Sequence, residues 1–195
     1  MTRQKAIRLK DYRLLMESLY EDRYWTSSDG LTLHYRDYSG PDGANGSPPI
    51  LCMHGLTRNA RDFEALAGHL SDRHRVIVPE MRGRGMSDYA PSSDSYNPGT
   101  YVGDVELLLT EQGIERFISI GTSMGGLMTM LLAAARPGRL AGVVMNDIGP
   151  EIDPAGIERI SGYVGQQRSY PTWVHAARSM ASVHQSSFPD YKLEK

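Results

Sequence analysis

Between residues 50 and 147, short apolar runs alternate with longer stretches of helical character, and few residues separate them. "ILCMH" (50–54), "HRVIVPE" (74–80), "RFISIG" (116–121) and "LAGVVMND" (140–147) read as strands. "RNARDFEALAGHL" (58–70), "TYVGDVELLLTEQG" (100–113) and "SMGGLMTMLLAAARPG" (123–138) read as helices, and Gly113 supplies a C-terminal stop. A continuous apolar run offers water no polar face, so such strands are buried on both sides. Strands of this kind joined by helices over short connections predict an α/β fold, a mostly parallel sheet with helices on both faces.

The flanks follow another pattern. Residues 4–20 place Leu15, Met16, Leu19 and Tyr20 at helical spacing and predict an N-terminal helix over 1–21. "DRYWTSSDGLTLHYRDY" (22–38) holds two β-prone runs around Ser28-Asp29-Gly30 and predicts a hairpin that opens a core over 22–150. "SGPDGANGSPP" (39–49) is a loop. Beyond Ile148 no strand pattern returns, and 151–195 contains helix-like stretches near 154–167 and 171–185.

Composition removes several function classes. Twenty-one Lys+Arg against 23 Asp+Glu give a net charge of -2, and no basic run is interleaved with aromatics, so nothing points to nucleic acid. Cys52 is the lone cysteine, which rules out a disulfide within the chain; inside "PPILCMHG" it reads as a small buried hydrophobe. The first twenty residues lack the apolar centre of a signal peptide, and "GLMTMLLAAA" is too short to span a membrane. A cytoplasmic protein without membrane contact is expected. "GRGMSD" lacks the third glycine of a dinucleotide fingerprint, no phosphate-loop Lys-Ser/Thr pair occurs, and His and carboxylates show no metal spacing. No cofactor and no metal are implied.

The chemistry concentrates at "FISIGTSMGGLM" (117–128). Ser123 lies between Gly121 and Gly125 where an expected strand meets an expected helix. Glycine-serine-glycine spacing is a weak pattern alone, but a strand–helix junction is the setting a nucleophile elbow needs. The glycines leave room for neighbouring backbone, and the helix turns its positive end toward the serine. Ser123 as a simple helix cap is the competing reading, yet a cap does not require glycine on both sides. The pattern favours a catalytic nucleophile. His54-Gly55 ends the first buried strand, on the same sheet edge as Ser123. The N–H groups of Leu56 and Met124 can there converge as an oxyanion hole. His54 itself reads as a structural histidine satisfied by backbone, in preference to a general base.

The order strand–"HG", strand–"PEMRGRGMSD", strand–"GTSMGG", strand–"NDIGPE" resembles the α/β-hydrolase superfamily over about residues 22–170. It is similar to the esterase, lactonase, haloperoxidase-like and C–C-bond hydrolase branches. The resemblance implies Ser123 as nucleophile and the Leu56 and Met124 N–H groups as oxyanion hole. Dehalogenase and epoxide-hydrolase branches carry Asp at the nucleophile position, so Ser123 argues against both. The family's "PEMRGRGMSD" loop usually begins with Asp, where this chain has Glu80.

In the family the triad runs Ser, acid, His. Asp147 ends the strand after the nucleophile helix and is the acid candidate; some members use that strand end, more use the next strand, and a turn or cap role competes. His175 and His184 follow Ser123 but lie in the strandless tail, whereas the family's histidine follows the last strand. The resemblance therefore implies that the catalytic histidine is not in this chain, that the core is incomplete at the C-terminus, and that 151–195 begins a helical cap. Tyr163, Tyr170 and Trp173 either line a pocket there or pack helices, and packing is the expectation. Strand 140–147, apolar on both faces, is left with an open edge. The implied reaction is hydrolysis of a carboxylic ester or related acyl bond of a small-molecule acyl substrate through an acyl-serine. C–C hydrolysis or lactone opening is the alternative on the same fold, and a non-catalytic fragment or binding module the alternative of another class.

Overall fold

Six strands form one sheet in the computed structural model, which describes residues 19–41, 47–151, 154–162, 164 and 169–184. Most of the expected N-terminal helix, and Tyr163, lie outside the described residues. The chain divides into a first unit, Met1–Ile152, and a second, Asp153–Lys195.

The strands of the first unit are β1 (Glu21–Thr26), β2 (Thr32–Tyr38), β3 (Ile50–Met53), β4 (Val76–Pro79), β5 (Phe117–Thr122) and β6 (Leu140–Asn146). Their order is β1-β2-β4-β3-β5-β6. β1–β2 and β2–β4 pair antiparallel, while β4–β3, β3–β5 and β5–β6 pair parallel. The sheet is thus mixed and mostly parallel, as the alternating pattern predicts. Glu21, at the end of the expected helix range, begins β1.

Helix α1 (Glu64–Leu70), α2 (Pro98–Glu111) and α3 (Met124–Ala135) fill the connections. The helix expected over 58–70 is divided: a 3₁₀ turn, Ala60–Phe63, precedes α1. Asn59 caps that turn by accepting from Arg61 N at 3.0 Å. For α2, Asn97 accepts from Thr100 N at 2.9 Å, Pro98 occupies the first turn, and Gly113 leaves the helix at φ 62°.

Strand alternation sorts the core into two layers. Leu51, Met53 and Ile77 point to the face covered by α2 and α3, where they meet Val105, Leu108, Met128 and Leu132. Their neighbours Ile50, Cys52, Val76 and Val78 point to the other face and meet Phe63 and Ala67 of the α1 region. Cys52 is the buried hydrophobe its context predicts. At the edge, β6 exposes Val143, Val144 and Met145, as expected for an apolar strand without a further neighbour among the described residues.

The fully buried Arg82 ties the hairpin to α2: it reaches both carboxylate oxygens of Asp104 at 2.9 and 2.7 Å and those of Asp29 at 2.8 and 3.1 Å. Hydrogen bonds from Arg82 and Ser27 hold the Asp29 carboxyl down to about 2.

The second unit contains helix α4 (Pro154–Ser161) and helix α5 (Trp173–His184). Trp173 is 91% exposed, contrary to the expectation that it packs between helices. Tyr170 Oη lies 2.6 Å from Ser179 Oγ. Among the described residues no helix is long and apolar enough to cross a membrane.

Candidate active site

Strand β5 hands over to helix α3 in a single residue. That residue is Ser123, at φ 50° and ψ −111°. A non-glycine residue held there stores roughly 1–3 kcal/mol of strain, which the surroundings must over-determine. They do so from three sides. Ser123 N donates to Asn146 O at 2.9 Å, and Ser123 O accepts from Gly126 N at 2.9 Å and Leu127 N at 3.1 Å. Ser123 occupies the N-cap position, yet its hydroxyl makes no capping hydrogen bond.

The glycines are required for space. A Cβ on Gly121 would sit 2.4 Å from the Gly125 carbonyl, and one on Gly125 would sit 2.0 Å from Met53 O of β3. Backbone meets backbone at both positions, so α3 starts hard against the strand beneath it.

The loop after β3 runs beside the serine. A Cβ on Gly55 would lie 3.8 Å from Ser123 Cβ and 3.9 Å from Thr122 O. Leu56 follows in a turn, and Met124 opens α3, where a helix has N–H groups without intrahelical partners. Among the described residues neither the Leu56 nor the Met124 N–H has a protein acceptor. The Leu56 N–H shares a rigid peptide plane with the Gly55 carbonyl. That carbonyl accepts from His54 Nδ1 at 2.7 Å and from Arg58 N at 3.1 Å, which fixes the opposite, N–H side of the plane. His54 Nε2 accepts from Met81 N at 3.2 Å. Burial pushes the His54 pKa below its ordinary value, so the ring is neutral with its proton on Nδ1. Its two contacts are both to backbone, in keeping with a structural histidine.

A second buried histidine, which sequence reasoning missed, braces the same loops. His34 on β2 has Glu80 Oε2 at 2.8 Å from Nδ1 and Asp22 Oδ1 at 2.8 Å from Nε2. Carboxylates accept at both nitrogens, so both carry protons. Glu80 also accepts from Ala60 N at 3.0 Å and Met86 N at 2.7 Å, joining the loop after β3 to the loop after β4. Burial opposes the charge on His34, but the bonds to Glu80 and Asp22 outweigh it and raise its pKa above 6.5. Burial likewise pushes Glu80 up, and the bonds from His34, Met86 and Ala60 outweigh it and hold its pKa below 4.5.

The stability each contributes follows by linkage. The His34 share is complete below pH 6.5 and is lost as pH rises through the raised value. The Glu80 share is complete above pH 4.5 and is lost as pH falls through the lowered value. His34→Gln keeps polar contacts without the charge. The Tm gap between wild type and this variant is expected to be widest near about pH 5.5 and to narrow as pH rises above 6.5 through the raised value. Thermal melts across that range check it, and a gap independent of pH would show that His34 is held neutral.

Asp147 follows β6 at φ 57° with an exposed side chain. It is a non-glycine residue in the left-handed region one strand away from the elbow. His175, on α5, is exposed with Nδ1 2.8 Å from Thr172 Oγ1, and the His184 side chain lies outside the described residues. Among the described residues no histidine hydrogen-bonds to Ser123. The structure therefore brings Gly55 and Ser123 together, with Leu56 and Met124 next to them in the chain. It adds Glu80 and His34 as supports. Only Glu80 carried a signal in the sequence, as the first residue of a loop with an unusual acid.

A family model described as alpha/beta hydrolase fold matches residues 48–195. A 3-hydroxybutyrate-oligomer hydrolase from Cupriavidus necator is 33% identical over 153 residues, which cover 78% of this chain and 51% of that protein. Lipase LipV from Mycobacterium tuberculosis is 28% identical over 160 residues, covering 82% of this chain and 57% of that protein. Among solved structures, an alpha/beta hydrolase from Novosphingobium aromaticivorans superposes with a TM-score of 0.84 at 58% identity, covering 89% of this chain and 60% of that one. The chain spans about half the length of the curated relatives it matches.

Proposed function

The chain belongs to the alpha/beta hydrolase fold family, and on that premise we propose that it carries the nucleophile and the oxyanion hole of a serine hydrolase acting on carboxylic esters. The observation that carries this reading is the elbow itself. Ser123 is held in a strained conformation, and its hydroxyl is not spent on capping the helix behind it.

Ser123 Oγ attacks the ester carbonyl as a base takes its proton. The carbonyl oxygen becomes an oxyanion and accepts from the Leu56 and Met124 N–H groups, with the positive end of α3 behind them. Collapse of the tetrahedral intermediate expels the alcohol, which takes the proton back from the base, and leaves an acyl-serine. Water activated by the same base then releases the acid. The base is a histidine, and among the described residues none hydrogen-bonds to Ser123. The names of the Cupriavidus 3-hydroxybutyrate-oligomer hydrolase and of the Mycobacterium lipase support ester chemistry. The substrate is a small acyl compound, and the protein acts in the cytoplasm.

Labelling of the full-length protein at Ser123 by a fluorophosphonate probe tests the proposal, and an unlabelled serine in active protein overturns it. Asp147 is proposed as the carboxylate that orients the base. Asp147→Asn is then expected to lower kcat by about 10⁴-fold, because an amide favours the wrong imidazole tautomer. A loss below roughly tenfold moves the acid elsewhere.

A further inference from the structure

Leu56 lies between two peptide planes. The peptide plane before it is fixed through the Gly55 carbonyl. The plane after it ends in the Leu56 carbonyl, and that oxygen accepts from Arg84 Nε at 3.1 Å. The same guanidinium donates from Nη1 to Arg82 O at 2.8 Å and to Tyr101 Oη at 3.0 Å. It also packs against two aromatic rings, with its carbon 5.6 Å from the Tyr96 centroid and 5.3 Å from that of Tyr101.

The backbone that presents Arg84 is equally constrained. Gly83 at φ 73° and Gly85 at φ 56° bracket it in left-handed turns. A Cβ at Gly85 would fall 1.9 Å from Glu80 Oε2, so the turn is closed onto the buried carboxylate. Arg84 N donates to Met81 O and Arg84 O accepts from Ser87 N, both at 3.0 Å. An arginine with a rigid base, a planar fork and two rings against it is a fixed strut, not a mobile surface charge.

We propose that Arg84 is a positioning residue for the oxyanion hole: by holding the Leu56 carbonyl it fixes the second peptide plane at Leu56 and with it the aim of the Leu56 N–H. With both planes pinned, φ and ψ of Leu56 have no freedom left, and the donor is set before substrate arrives. Preorganised donors of this kind stabilise the oxyanion without reorganising at the moment of reaction. The inference rests on the reading of Ser123 and its oxyanion pair.

The test uses the full-length protein, a p-nitrophenyl ester and a trifluoromethyl ketone as transition-state analogue. Arg84→Met is expected to lower kcat by about 10- to 100-fold with KM within about twofold, and to weaken the ketone in step with kcat/KM. Arg84→Lys, which can still offer one donor to the Leu56 carbonyl but not the planar fork, is expected to lower kcat only a few-fold. A kcat within twofold of wild type in Arg84→Met overturns the proposal, and so does a fall in kcat with unchanged ketone affinity, which marks a general structural defect. Should Arg84→Met not fold, the lysine variant decides alone: a rate lowered a few-fold with the ketone weakened in parallel supports it, and unchanged values overturn it. Ser123→Ala run beside these separates the two readings. Turnover that survives Ser123→Ala removes the nucleophile and this inference with it, whereas turnover lost there but intact in Arg84→Met removes Arg84 alone.

Discussion

Ser123→Ala is expected to lower ester turnover in the full-length protein by about 10⁴-fold or more while leaving the Tm within a degree or two. The two halves of this result come from the same geometry. The hydroxyl makes no cap bond, so its removal orphans nothing in the folded state. The backbone bonds at Ser123, to Asn146 O and from Gly126 and Leu127, do not involve the side chain and survive in alanine. Strain at φ 50° is the same for both residues, since each has a Cβ and nothing larger at the branch. What disappears is the nucleophile alone. Residual turnover above the uncatalysed rate would come from the oxyanion hole. Wild-type kcat in the alanine variant would remove Ser123 from the reaction, and a collapse of Tm would mean that the hydroxyl has a structural partner.

The architecture was legible because burial on both faces leaves a strong mark. "ILCM" and "VIVP" have no polar position to alternate, and both strands are buried along their whole length. The elbow was legible for a related reason. Backbone-to-backbone contact at Gly121 and Gly125 admits no side chain, so the spacing survives as two glycines around the serine. The supports of the site left no such mark. His34 meets Glu80 and Asp22 across 46 and 12 residues of sequence, and His34 and Asp22 read singly as ordinary polar residues. Arg84 sits in a loop whose glycines invite comparison with a dinucleotide fingerprint, while its partner Leu56 lies 28 residues away on another loop. The 3₁₀ turn at Ala60–Phe63 was hidden because helical spacing does not distinguish three residues per turn from 3.6 over a single turn. Long-range polar pairing depends on which strand ends become neighbours, and that order exists only once the sheet has formed.

Two glycine-to-alanine variants are expected to move stability in opposite directions. Gly125→Ala places a methyl 2.0 Å from Met53 O, 2.6 Å from Met53 C and 2.9 Å from Met53 Cβ. The obstacle is the backbone of β3, which pairs with β4 on one side and β5 on the other and cannot yield without breaking either ladder. Helix α3 must lift instead, which separates Met124, Met128 and Leu132 from the core layer they share with Met53. The cost is expected to reach about 3 kcal/mol or more, at the upper end for overpacking. In a chain of this size that is a fall in Tm of roughly 10 °C, with aggregation on expression as the extreme. Gly103, inside α2, has no atom within 4 Å of its added Cβ and a backbone that suits any residue. Gly103→Ala therefore removes only the entropy penalty of glycine in a helix and is expected to raise stability by about 0.5–1 kcal/mol. Thermal melts of both variants check the pair. A Gly125→Ala protein as stable as wild type would show that α3 does not start against β3, and the tight elbow that aims Ser123 would lose its structural basis.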